Sequence, residues 1–412
     1  MATLDDLPTI PMDDPTWWQD PYPSLRALRE HHRLAQTPQG LPAVLHWDDA
    51  FDTVRGTQFS QHGIEALESR GFHPGDPLHT WASNRIGVME GEHHRRVRSL
   101  AAGALSKRKM DDLRPLIRHH ASALLDAQLD AGELEGRLDF AHPLPRLVMM
   151  DFLGVDDDEL GTTMNPSAGS SVIDAFGPGE MTDETRAKVN RHIQASMDHT
   201  AMLYERRRQE PRDDLLTHLV QAQNDAGRLT EGELITLFSS IFGSGTSTAS
   251  IIASGMMELA RHPDQANLLR SDPEQWKKGA SEESLRYRPA INAIGQKAAT
   301  DIDAFDVHLA AGTHITVIVG AANRDPRHWG DGAERFDIRR DPRDASLSFG
   351  VGPHVCLGHA LARATIEEAL VVFVERCDEL ELLEEPRWMP FVQENKLENL
   401  RLGVRVKERA AR

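Results

Sequence analysis

Phe349-Gly350-Val351-Gly352-Pro353-His354-Val355-Cys356-Leu357-Gly358 is the stretch on which the reading of this 412-residue chain turns. Small residues come first, then one cysteine, then an apolar run. Glycines carry no Cβ, so this backbone can turn tightly and approach a bulky group. From Leu357 to Phe373 apolar residues recur at helical spacing. Cys356 therefore stands where a loop enters a helix. The helix dipole and N–H groups near the sulfur favour a thiolate there. Three roles are open to it: nucleophile, metal ligand or inert core cysteine.

Composition narrows the classes. Hydrophobic residues make up 40% and charged residues 27%, as in an ordinary globular protein with a large core. The formal net charge of −18 argues against general binding to nucleic acid or to an anionic membrane. The start, Met1 to Asp20, is acidic and contains proline, unlike a signal peptide or anchor, and reads as an extended segment. No stretch approaches 18 uninterrupted apolar residues, so no membrane span is expected, and a cytoplasmic location is. Cys356 and Cys377 are the two cysteines, too few for a disulfide framework or a four-thiolate zinc site. Cys377 falls in an apolar-periodic helix and reads as a buried, inert thiol.

Along the chain, Pro21 to His32 reads as a helix, Leu34 to His46 as a hairpin turning near Gly40, and Asp48 to Val54 as a short helix. Gly56 to Val88 reads as a long irregular loop. Helical patterns follow at 91–105, 110–131, 140–154, 184–208 and 213–224. The most apolar helix runs from about Leu229 to Arg261 and opens on Thr230 and Glu233, spaced as a capping box. Trp276 to Arg286 is helical, and Pro289 to Ala322 alternates like short strands. Coil covers 323–348, and two or three strands end the chain. No linker stands out. The expectation is one mainly α domain, 1–412, with a small β region.

Glu283 and Arg286 lie three apart on one helix face. Alone they would be an unremarkable surface pair. Ala333-Glu334-Arg335-Phe336 adds a second arginine that could complete a cluster pinning the coil before Cys356. Taken in order, Glu283-x-x-Arg286, Ala322-Asn323-Arg324-Asp325-Pro326, Glu334-Arg335-Phe336 and the Cys356 loop resemble the soluble bacterial cytochromes P-450, from about Pro21 to the C-terminus. The resemblance implies the cytochrome P-450 fold, with haem b (iron protoporphyrin IX) buried between the long central helix and the Cys-loop helix. It makes Cys356 the axial thiolate of the iron, donating electron density that promotes O–O cleavage. It makes Glu283, Arg286 and Arg335 a structural triad, and sets Phe349 and Gly243 beside the haem.

The haem propionates need cationic or donor partners when buried. Glu90-Gly91-Glu92-His93-His94-Arg95-Arg96-Val97-Arg98 resembles the family's His-x-x-x-Arg helix, which implies His94 and Arg98 as partners. His354 matches a third. Where the family has an arginine in the strand near 295–297, this chain has Gly295-Gln296-Lys297, with Lys297 a candidate substitute for the charge. Ser346 stands where a histidine is common.

Gly243-Ser244-Gly245-Thr246-Ser247-Thr248 interrupts the apolar helix with residues that lower helix propensity and can bend it. Residues alone allow a small-residue packing groove. The resemblance makes it the place where O2 and substrate meet the iron. There the family carries an acid followed by a threonine that relay protons. Thr246 takes the acid's place and Ser247 the threonine's, or Ser247 and Thr248 with a one-residue shift. Neither register supplies a carboxylate.

The resemblance implies a monooxygenase that takes NAD(P)H electrons through a separate ferredoxin and ferredoxin reductase, since no flavin or ferredoxin region is present. Arg95, Arg96, Lys107, Arg108, Lys109, Arg114 and Arg118 form a basic island suited to an acidic partner, or simply a solvated face. The implied pocket, lined by the 56–88 loop, residues 166–180, Gly243 to Ser247 and Pro289 to Gly295, includes Ile86, Val172, Ile291, Ala293 and Ile294. It fits a small or medium lipophilic substrate. The missing acid keeps a second reading open, a haem-thiolate enzyme of peroxide-driven oxidation, nitric oxide reduction or oxidative coupling. A third is a helical binding protein in which Cys356 is merely buried.

Overall fold

The computed structural model describes residues 4–61, 64–102, 105, 107–128, 132–160, 181–224, 229–344, 346–390 and 394–406. They fall into two compact units. One comprises Met1–Gln61, Leu113–Leu144 and Ser247–Arg412, the other His62–Asp112 and Pro145–Thr246.

The first unit carries the strands. β1 (Leu34–Gln36) and β2 (Pro42–Val44) pair antiparallel across a turn in which Gly40 takes φ 77°. β3 is Phe59–Gln61, in a stretch whose glycines and polar residues hide it in the sequence. β4 is Glu133–Glu135, β5 Ala293–Ala298, β6 Ile302–Ala304, β7 Val307–Leu309 and β8 His314–Ile318. β9 is Cys377–Leu382 and β10 Arg401–Val406. The larger sheet runs β1-β2-β8-β5-β3, with β2 and β8 parallel and its other pairs antiparallel. Its β-branched and aromatic side chains, including Val44, Phe59, Ile315 and Val317, bury one face with Trp47 and Val54 from helix Trp47–Arg55. The described part of the N-terminal segment, residues 4–20, is docked rather than merely extended. Ile10 is fully buried, and its N–H donates to Gln36 O at 2.8 Å.

Helix His359–Arg376 packs against helices Arg114–Asp126, Pro263–Ser271 and Pro273–Tyr287, all in this unit. It is apolar nearly all round, as a core helix should be. Its buried Glu367 and Glu368 are answered by Arg114 at 2.8 and 2.9 Å. The helix stops one residue before the second cysteine. Cys377 opens β9 instead of lying within the helix, where the sequence puts it, and it is fully buried. Burial pushes its thiol up to about 12, against weaker opposing pulls from Arg270 and Arg376.

In the second unit, helix Asp183–Gln209 packs on helices Pro77–Ser83, Leu215–Asn224 and Glu231–Gly243. Helix Pro77–Ser83 and the short turns around it replace much of the loop expected at 56–88. Leu67, Phe72, Leu78, Ala82, Val189 and Ile193 form its core. Buried Arg207 is held by Glu159 at 2.8 Å and Asp214 at 2.6 Å, which removes the cost of an unpaired charge.

The apolar stretch expected as one helix is two, Glu231–Gly243 and Gly245–Arg261, parted at Ser244. Ser244 Oγ donates to Ile241 O at 2.6 Å and Thr246 Oγ1 to Gly243 O at 3.2 Å, so hydroxyls compete for the ladder carbonyls. By length and mean hydropathy Glu231–Arg261 could cross a membrane, but Ile251 to Ala260 are buried in the first unit, as a core helix requires. The capping box is formed: Thr230 Oγ1 accepts from Glu233 N–H, and Glu233 Oε2 from Thr230 N–H at 2.8 Å.

Candidate active site

Cys356 is exposed at the end of a tightly turned loop. Gly350 and Gly352 take φ 65° and 76°, values that L side chains rarely adopt, so glycine is required at both. Cys356 N–H donates back to Phe349 O at 2.8 Å, closing the loop beneath the sulfur. The Arg363 guanidinium lies 4.5 Å from the Phe349 ring centroid and pairs with Glu282, fixing the ring from the following helix. A Cβ on Gly358 would meet nothing within 4 Å.

The loop is fastened from behind by Asn323, a member of the 322–326 motif whose role its spacing does not reveal. Fully buried Asn323 accepts the Leu347 N–H at 2.9 Å through Oδ1 and donates to Ser348 Oγ at 3.0 Å. Ser348 Oγ donates on to Leu285 O at 2.6 Å. Arg286 organises the same coil. It pairs with Glu283 through two bonds of 2.7 Å and donates to the carbonyls of Asn323, Ala333 and Arg335 at 2.8, 2.7 and 2.9 Å. Glu283 and Arg286 are both buried, so the pair stands only because each remaining donor and acceptor is used.

Arg335 corrects the expectation. Its backbone carbonyl enters the cluster, while its side chain is on the exposed surface. The second guanidinium beside Glu283 is that of Arg340, at 3.4 Å. Arg324, next to Asn323, is stacked between Tyr22 and Tyr287, 3.4 and 3.7 Å from their centroids. Asp325 accepts the Trp47 N–H at 2.9 Å. The motif is thus a clasp on three sides.

Gln296 and Lys297 fall on opposite faces of β5, because strand side chains alternate. The Gln296 side chain is buried, and its Nε2 has no hydrogen-bond partner among the described residues. The orphaned donor therefore belongs to Gln296, not to Lys297. Ser346 is buried as well and accepts from Ser348 N–H at 3.4 Å. His354 is half-buried in the loop. Ile291, Ala293 and Ile294 are half-buried, but Ile294 packs against the sheet core.

In the second unit, helix Gly91–Ala102 separates its basic residues by face. His93 and Arg96 both bond Glu233, the capping-box acid, His93 at 2.5 Å. Burial pushes the Glu233 carboxyl up, but bonds from Arg96, the Thr230 N–H and His93 outweigh it and hold the group at about 2. His94 and Arg98, one turn apart, share another face; His94 is buried and Arg98 half-buried. Ile86 is half-buried in a short turn. Val172 and residues 166–180 lie outside the described residues.

The basic island is partly spent internally. Arg114 pairs with Glu367 and Glu368, Arg118 with Glu368 and Glu375, and, in the second unit, Arg96 with Glu233. Arg95, Arg108 and Lys109 are exposed. The side chain of Lys107 lies outside the description.

Thr246, Ser247 and Thr248 are half-buried, between the buried runs on either side. Ser247 Oγ donates to Glu394 Oε1 at 3.3 Å. This carboxylate lies 147 residues away in sequence. Nothing in the local pattern around the helix announces it.

The chain is similar to proteins of one family. The cytochrome P450 family model matches residues 278–397, spanning the Glu283–Arg286 helix and the Cys356 loop. The chain is 31% identical over 385 residues to luteothin monooxygenase of Streptomyces thioluteus, covering 93% of this chain and 92% of that one. It is 34% identical over 311 residues to 6-deoxyerythronolide B hydroxylase of Saccharopolyspora erythraea, covering 75% and 74%. Among solved structures it resembles P450BioI in complex with an acyl carrier protein bearing hexadec-9Z-enoic acid, with TM-score 0.85, 25% identity, and coverage of 95% of this chain and 100% of that one. CalO2 matches with TM-score 0.87, 25% identity, and coverage of 96% and 98%. The chain belongs to the cytochrome P450 family and is a bacterial-type P450 monooxygenase, an oxidoreductase. The other-chemistry and binding-protein readings are not favoured. Haem is the family's cofactor. An exposed thiol at the end of a clasped loop, room beside Gly358 and the orphaned Gln296 amide fit it.

Proposed function

We propose that Cys356 ligates the iron of haem b, that His94, Arg98, His354 and Gln296 take the propionates, and that residues 1–412 serve this one haem. Haem supplies activation of O2. The protein holds the thiolate in a loop clasped by Asn323 and Arg286, screens it with Phe349, and offers hydroxyls at 246–248 to direct protons. The observation that carries this reading is Cys356 itself, exposed while its N–H is bonded to Phe349 O and the loop's start is held by Asn323. The reduced, carbon-monoxide-bound protein should show the red-shifted thiolate band, and Cys356→Ala should abolish it. A wild-type spectrum without that band would remove the reading.

The substrate in this proposal is a small or medium lipophilic molecule, free or carried. The named relatives are a luteothin monooxygenase and a 6-deoxyerythronolide B hydroxylase, and P450BioI is seen in complex with an acyl carrier protein bearing hexadec-9Z-enoic acid. A spin-shift titration against lipophilic compounds and an acyl carrier protein conjugate separates the two forms. Electrons come from NAD(P)H through ferredoxin and its reductase. Arg95, Arg108 and Lys109 are the cations exposed for docking, and reversing their charge should slow reduction most at low salt. The protein works in the cytoplasm, without membrane or nucleic acid.

A further inference from the structure

Glu394 occupies a defined place. Its residue bridges Ile291 antiparallel. The next residue, Asn395, donates its N–H to Ala290 O at 2.7 Å and exchanges side-chain amide bonds with Asn292 at 2.5 and 2.7 Å. Asn395 Nδ2 also donates to Pro289 O at 2.7 Å. These bonds hold the segment beside the strand entry at 289–292. The carboxylate is almost buried, 8% exposed, and both of its oxygens are used. Oε1 accepts the Ser247 hydroxyl at 3.3 Å, and Oε2 accepts Lys396 Nζ at 2.9 Å. Lys396 retains 21% side-chain exposure. The three groups connect solvent, through a nearly buried carboxylate, to a hydroxyl in the 243–248 stretch, which carries no acid of its own.

We propose that Glu394 is the positioning residue that controls the Ser247 proton, and that Lys396, Glu394 and Ser247 form the proton path of this enzyme. The inference rests on the haem-thiolate monooxygenase reading above. With Glu394 ionised, Ser247 donates to it, and the hydroxyl proton is held on the Glu394 side. With Glu394 protonated, the bond reverses: Glu394 donates to Ser247 Oγ, and the hydroxyl proton turns away. In the transfer, the Glu394 O–H bond breaks as a new O–H bond forms at Ser247, whose original proton would then be available on the side where a bound haem would supply O2 chemistry. Glu394 then recovers a proton from hydronium arriving at the solvent-exposed Lys396 end, where the ammonium, a far weaker acid than a carboxyl, stays charged and holds the carboxylate in place. The electrons are those NAD(P)H supplies to the monooxygenase. Ser247 without a carboxylate could orient a water but could not renew its proton from a held acid.

Glu394→Gln tests this in the holoenzyme. The amide oxygen still accepts from Ser247, but the side chain has no proton to pass on at working pH. The red-shifted carbon monoxide band is recorded first for wild type and each variant. If wild type lacks it, the haem reading has failed, whatever becomes of Glu394. If a variant keeps full intensity, its fold and ligation are intact. Expected are about tenfold losses in product formed per NAD(P)H, with more peroxide released, in Glu394→Gln and in Ser247→Ala. The double variant should lose no more than either single one, because two groups in series fail as a unit. A readout independent of turnover accompanies this. The carboxylate infrared band missing in Glu394→Gln should shift in Ser247→Ala, since one hydrogen bond to that carboxylate is gone. Wild-type coupling in Glu394→Gln, losses that multiply in the double variant, or an unmoved band would each overturn the proposal.

Discussion

The Cys356 loop and the 243–248 stretch are built on opposite plans. The loop is contiguous in sequence, and its supports come from short motifs of recognisable spacing: Glu283 with Arg286, Asn323 within 322–326, and two glycines at positive φ. Buried charge is fully paired there, so removing one partner strands another. The 243–248 stretch instead breaks its own helix and leaves hydroxyls half-buried. A carboxylate partner, Glu394, reaches Ser247 from the far end of the chain. The first plan is rigid and legible. The second is cheap to alter, and its chemistry can be changed by a residue in an unrelated segment.

The contrast can be broken by substitution. Arg286→Leu should be the most damaging change, since it leaves buried Glu283 with the Asp337 N–H at 2.8 Å and the more distant Arg340 guanidinium at 3.4 Å; a loss of about 3–5 kcal/mol is expected in urea denaturation. A result under about 1 kcal/mol would show that the loop side is not held by its charges. Gly279→Ala comes next. A Cβ there would sit 2.0 Å from the Ile338 carbonyl oxygen, which is backbone and cannot step aside. A cost of about 3 kcal/mol is expected, read the same way.

Glu233→Gln tests the second unit through pH. The folded carboxyl sits at about 2, below its ordinary 4.5, so its contribution is complete above the ordinary value and is lost as pH falls toward 2. The melting temperatures of wild type and variant should therefore differ at pH 7 and converge as pH is lowered from 4.5. A constant gap would mean that the variant lost packing and not charge.

Two smaller changes sharpen the comparison directly. Asn323→Ala removes bonds to Leu347 and Ser348 and should cost about 1–3 kcal/mol, with a weaker carbon monoxide band. Ser247→Ala should cost less than about 1 kcal/mol and leave that band intact, because its bond to Glu394 is long and the site half-buried. Equal effects on stability would mean that the two regions are not built differently after all.

By itself the sequence determined the family, the turn of the Cys356 loop and most helices, because those depend on local spacing: a glycine turn before a cysteine, a capping box at Thr230, apolar periodicity. It also located the oddity at 243–248. Tertiary structure decided what spacing cannot carry. Arg340, not Arg335, lies beside Glu283, since coil geometry sets which guanidinium turns inward. Gln296 is the buried donor on β5, since register and alternation fix faces. Cys377 opens a strand, since the helix ends against it. Above all, a hydrogen bond acts over about 3 Å of space with no regard to separation along the chain, so Glu394 could be placed beside Ser247 only once the chain was folded.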